Sequence, residues 1–84
     1  MKGTYKIKPY FDTYVVYGTG DSSWNPKAML VLNEVGYTIF TLLEKNASVE
    51  SIVDTLTNEY DVTNEIALND TLAFIEILKK KNMI

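Results

Sequence analysis

The 84-residue chain sets eight lysines and no arginine against eleven carboxylates, for a net charge of −3, and 46% of its residues are hydrophobic. That length supports one domain and that hydrophobic fraction excludes wholesale disorder, while the charge is the wrong sign for a protein that neutralises nucleic-acid phosphates. With no cysteine and no histidine there is no disulfide scaffold, thiol nucleophile or thiolate metal site, and the commonest general base and metal ligand are both missing.

Tyr5-Lys6-Ile7-Lys8 alternates bulky and charged residues, the period-2 signal of a half-solvated strand that Pro9 is expected to close. The same lysines interrupt the first apolar stretch, so no signal-peptide core forms there. Tyr14-Val15-Val16-Tyr17 reads as a second strand and Gly18-Thr19-Gly20-Asp21-Ser22-Ser23 as the loop after it. Ala28-Met29-Leu30-Val31-Leu32, bounded by Asn25-Pro26 and Asn33, is a third short strand. Three short strands on short loops predict an antiparallel sheet.

From Asn33 the period becomes helical. Val35, Ile39, Leu42 and Leu43 mark a first helix capped by Asn33, with Glu34 at the favourable end of its dipole. Gly36 inside it costs about 1 kcal/mol against alanine, so a neighbouring element is expected to approach closely there. Asn46-Ala47 ends this helix, and Ser48 caps a second marked by Val49, Ile52, Val53, Leu56 and Tyr60. Thr63 or Asn64 caps a third that runs to about Lys80, with Asn82 as a left-handed stop. The order βββααα, with an antiparallel sheet first, makes an α+β fold. No apolar run approaches the roughly 18 residues of a membrane span.

In the third helix Ile66, Ala67, Thr71, Phe74, Ile77 and Leu78 share one broad arc, which Leu68, Leu72 and Ile75 extend by about a third of the circumference. Either the helix is buried on several sides by its own domain, or part of this shoulder lines a groove for an external ligand. The remaining chemistry is sparse. The carboxylates are scattered, and Ser22, Ser23 and Ser48 have no base to activate them. The Gly18-Thr19-Gly20 segment lacks the lysine and the following helix of a phosphate cradle. Lys79-Lys80-Lys81 suits a helix C-terminus, and Trp24 is either a partner anchor or a cover for the sheet's open end.

The segment Val31-Leu32-Asn33-Glu34-Val35-Gly36-Tyr37-Thr38-Ile39-Phe40-Thr41-Leu42-Leu43 resembles the "LNETG…IW.LL" core of the PqqD-like family of peptide chaperones, also called RiPP recognition elements. The resemblance continues through the Ser48–Leu56 segment and Phe74-Ile75-Glu76-Ile77-Leu78 to the Lys81-Asn82-Met83-Ile84 ending, covering about residues 5–84. Val35 stands where the family often has threonine and Asn82 where it often has glycine.

The resemblance implies a single winged-helix-like, leader-peptide-binding domain over residues 1–84. In such domains the leader of a ribosomally made precursor peptide adds as a strand beside the third strand, in the groove between it and the third helix. On that basis Met29, Leu30, Val31 and Leu32 are expected to supply the backbone ladder, with Leu68, Leu72 and Ile75 as pocket residues. The implied partners are a precursor peptide and a peptide-modifying enzyme or protease of the same pathway. The expectation is a cytoplasmic, non-catalytic protein with no cofactor, metal, nucleic acid or membrane partner. Two alternatives are a winged-helix DNA-binding domain, against which the charge argues, and a structural or dimerisation module. The sequence leaves open the precursor, the modification, the oligomeric state and which side of the third helix lines the groove.

Overall fold

The computed structural model describes residues 1, 3–19 and 29–84. Strands β1 (Thr4–Tyr10), β2 (Thr13–Thr19) and β3 (Leu30–Leu32) precede helices α1 (Glu34–Glu44), α2 (Val49–Glu59) and α3 (Asn64–Lys80). The sheet is antiparallel in the order β1-β2-β3, so β2 is central and β1 and β3 are its edges. Register places Ile7 opposite Val16 and Val16 opposite Leu30, which lines up one inward-facing row across three strands.

Three strand boundaries differ from expectation. β1 runs through Pro9, which pairs with Tyr14, to Tyr10. An edge strand is paired on one side only, so a residue without an N–H is accommodated there. Gly18 and Thr19 belong to β2, held opposite Tyr5 and Thr4, and Thr19 Oγ1 donates to the Thr4 carbonyl at 3.2 Å. Met29 precedes β3 instead of pairing within it. The readings on Gly20–Ser23, Trp24, Asn25-Pro26 and Ala28 lie outside the described residues.

β1 and β2 are joined by Phe11-Asp12 alone, across which Thr13 Oγ1 donates to the Tyr10 carbonyl at 2.6 Å. Phe11 sits there at φ 57° and is 89% exposed, in edge-to-face contact with Tyr10.

The helix ends follow local side-chain chemistry. Asn33, Ser48 and Thr63 each cap a helix by accepting from the N–H three residues on: Gly36 at 2.8 Å, Ser51 at 3.1 Å and Ile66 at 3.2 Å. α1 ends with Asn46 at φ 62°, its N–H bonded to the Leu43 carbonyl and the Ala47 N–H to that of Leu42. α3 repeats the device: Asn82 at φ 59° donates to Lys79, and Met83 to Leu78. Both are Schellman stops with asparagine in the left-handed place.

The sheet's inner face, through Val16, Leu30 and Leu32, packs on Phe40 of α1, Leu78 of α3 and Met83 beyond it. A second cluster, Ile39, Ile52, Leu56 and Ala67, joins the three helices to one another. Phe74 and Leu43 touch both. Thr71 is fully buried, with its hydroxyl turned back onto the Ala67 carbonyl at 2.8 Å. Between α1 and α2, Thr38 Oγ1 meets Tyr60 OH at 3.0 Å. Among the described residues, no helix is long and apolar enough to cross a membrane.

Candidate functional site

Among the described residues, β3 pairs with β2 along one side only. Its other side is an edge of backbone N–H and C=O groups, the template onto which an extended chain can add. Leu30 and Leu32 turn into the core, while Val31 between them is 67% exposed.

Beside this edge lies a groove of about 460 Å³ whose walls are Leu30, Val31, Leu32 and Thr13 on one side and Phe74 and Ile77 of α3 on the other, with Asn33 and Gly36 at the start of α1. It runs into a further cavity of about 300 Å³ between α1 and α3, which shares Asn33, Gly36, Phe74 and Ile77 and adds Val35, Ile39, Ala73 and Asp70. The two form one continuous cleft. Among the described residues, Asp70 is its one ionisable lining residue.

Gly36 is where the close approach falls. A Cβ placed there would lie 3.3 Å from the Asn33 side-chain oxygen and 3.5 Å from Leu32 Cβ. The Asn33 oxygen is pinned by its bond to the Gly36 N–H, so glycine lets the cap, the end of β3 and the wall of the cleft meet.

The expected site residues divide. Leu30, Val31 and Leu32 form the strand wall, whereas Met29, exposed just before β3, does not line the cleft. Leu68, Leu72 and Ile75 do not line the cleft. Leu68 lines a separate cavity against Val49 and Val53 of α2, Leu72 is exposed, and Ile75 is half-buried. The cleft takes the other flank of α3, with Phe74 and Ile77, which the helical period assigned to the main buried arc. That period shows which residues share a face but not which flank meets the sheet. Phe74 is half-buried and packed on both clusters, whereas Ile77 is 45% exposed and free to meet a ligand.

The cleft offers an apolar floor, a strand edge and little charge, an arrangement suited to binding an extended chain. Among the described residues, no three His, Cys, Asp or Glu side chains converge on a metal-sized site. Every buried side-chain N or O described has a hydrogen-bond partner.

The family model described as coenzyme PQQ synthesis protein D (PqqD) matches residues 15–84, from β2 to the end of the chain. Among solved structures, the chain is similar to "TbiB1 in Complex with the TbiA(beta) Leader Peptide", with a TM-score of 0.73 and 26% sequence identity over 99% of this chain and 93% of that one. No curated protein matches the chain significantly.

Proposed function

The chain belongs to the PqqD family, and from that premise we propose that it binds the leader segment of a ribosomally made precursor peptide by strand addition along β3. It then presents that peptide to a modifying enzyme or protease of the same pathway. Its role is that of a chaperone: it holds the substrate, and the chemistry belongs to the partner. The observation that carries this reading is the juxtaposition of an unpaired strand edge with an apolar cleft running beside it. Backbone bonds to the edge supply sequence-tolerant affinity, and alternate leader side chains entering the cleft supply specificity. The similar TbiB1 structure, in which that protein is in complex with a leader peptide, supports the same assignment.

On this reading Met29, Leu30, Val31 and Leu32 present the backbone, and Phe74 and Ile77 take the wall positions first expected of Leu68, Leu72 and Ile75. The deciding experiment is titration with the cognate leader and with versions N-methylated at one amide at a time. Strand addition uses alternate amides, so sensitivity should recur at every second position. Affinity should change little between low and high salt, because the cleft is nearly uncharged. A uniform response to N-methylation, or a steep loss of affinity with salt, would refute the proposal.

A further inference from the structure

We propose a second docking surface, on the side of α3 away from the cleft, that takes a lysine- or arginine-bearing amphipathic helix of a partner protein. Between α2 and the start of α3 lies an open cavity of about 490 Å³, larger than either part of the cleft. Its floor is Val49, Val53 and Leu68, and its rim carries the carboxylates of Glu50, Asp54 and Glu65. Leu72, 46% exposed, continues the apolar row one turn beyond Leu68. None of the lining residues is basic, and none of the three carboxylates is ion-paired among the described residues.

The rim charge is more than the fold needs. Glu50 and Glu65 lie in first helical turns, where an anion offsets the dipole. Asp54 does not, and it stands four residues from Glu50 on one helix face, a like-charge spacing that weakens a helix. An apolar floor framed by uncompensated carboxylates complements a helix with aliphatic anchors at i, i+4 and i+7 and cationic flanks. A second copy would set carboxylates against carboxylates, and anionic membranes or nucleic acids are repelled in the same way. The cavity shares no lining residue with the cleft, so both can be filled at once. The proposal stands whether or not the cleft takes a leader.

The test uses the full chain labelled for NMR and a stapled helical peptide of roughly 15 residues, with leucines at the anchor spacing and lysine flanks, beside a twin with glutamate flanks. The lysine peptide should shift Val49, Val53 and Leu68 resonances and leave those of Val31 and Ile77 in place. Its affinity should fall with salt. The double variant Glu50→Lys/Asp54→Lys should weaken the lysine peptide by about tenfold or more and strengthen the glutamate twin. Its leader affinity should stay as in the parent, with Tm lower by only a few degrees because a cation in the first turn of α2 opposes the dipole, which separates failure here from failure of the leader-binding reading. Equal binding of the two peptides, shifts confined to the cleft, indifference to charge reversal, absence of binding, or a dimer formed through this face would each overturn the proposal.

Discussion

Leu72 and Ile77 are almost equally exposed, at 46% and 45%, yet they serve different sides of α3. Five residues apart, they point about 140° away from each other around the helix. Ile77 walls the cleft along β3, whereas Leu72 lies one turn beyond Leu68, which lines the cavity against α2.

That separation yields a paired test. Ile77→Asp should keep the fold and weaken leader binding by about 1–3 kcal/mol or more, because a carboxylate would be desolvated when the cleft fills. Leu72→Asp should fold and bind leader as the parent does. Calorimetric titration and a melting curve of each variant decide it; loss of leader in Leu72→Asp with Ile77→Asp unaffected would reverse the assignment.

Val31 tests the strand edge. Its side chain is mostly exposed, so Val31→Thr should change neither stability nor leader affinity appreciably. Val31→Pro removes one backbone N–H and restricts the chain, and should abolish leader binding. Circular dichroism shows whether the sheet survives. Unchanged affinity in a folded Val31→Pro variant would mean that the leader does not add to β3.

Backbone conformation sets opposite expectations at two exposed turns. Asn46→Ala places an alanine in the left-handed region and should lower stability by about 1–2 kcal/mol, a fall in Tm of roughly 4–8 °C per kcal/mol for a domain of this size. Phe11→Gly relieves the same penalty at φ 57° and should raise Tm. Equal melting temperatures for all three proteins would contradict the account of both turns.

Glu44, in the last turn of α1, has its carboxyl pushed above the ordinary value of 4.5 by partial desolvation. A carboxyl that binds its proton more tightly when folded stabilises the protein below its unfolded pKa, and that benefit is lost as pH rises through the folded value. Glu44→Gln should therefore melt like the parent well below 4.5 and higher at neutrality. The difference should stay below about 1 kcal/mol because the group is largely solvated. A lower Tm for the variant at neutrality would show that the charged form is favoured by the fold.

What the sequence made legible was chemistry acting over a few residues. Asn33 and Ser48 cap the helices they were expected to cap, Thr63 is the one of two candidates that caps α3, and Asn82 stops α3 as read, because each device is completed within about five residues of chain. The strand limits were harder to read. Pro9 and Gly18 are poor strand residues by local preference, and Thr19 stands between two glycines in a loop-like composition; they join the sheet because Tyr14, Tyr5 and Thr4 lie opposite them. The site was half legible for the same reason. The third strand could be placed from its apolar run, but α3 has apolar residues on both flanks. Only the packing of α2 against Leu68 and of β3 beside Phe74 and Ile77 decides which flank faces which neighbour.

The two edges of the sheet differ in how they resist self-association. β1, seven residues long, carries Lys6, Lys8 and Pro9, all of which discourage another chain from stacking alongside. β3 has no such guard, but at three residues it is about 10 Å long. A second copy laid against it would gain only a few backbone bonds, too few to seed a growing fibril. The shortness that keeps an unguarded edge safe in a crowded cell also denies lasting hold to any visitor that brings backbone alone. A peptide must therefore match the neighbouring cleft as well as the edge.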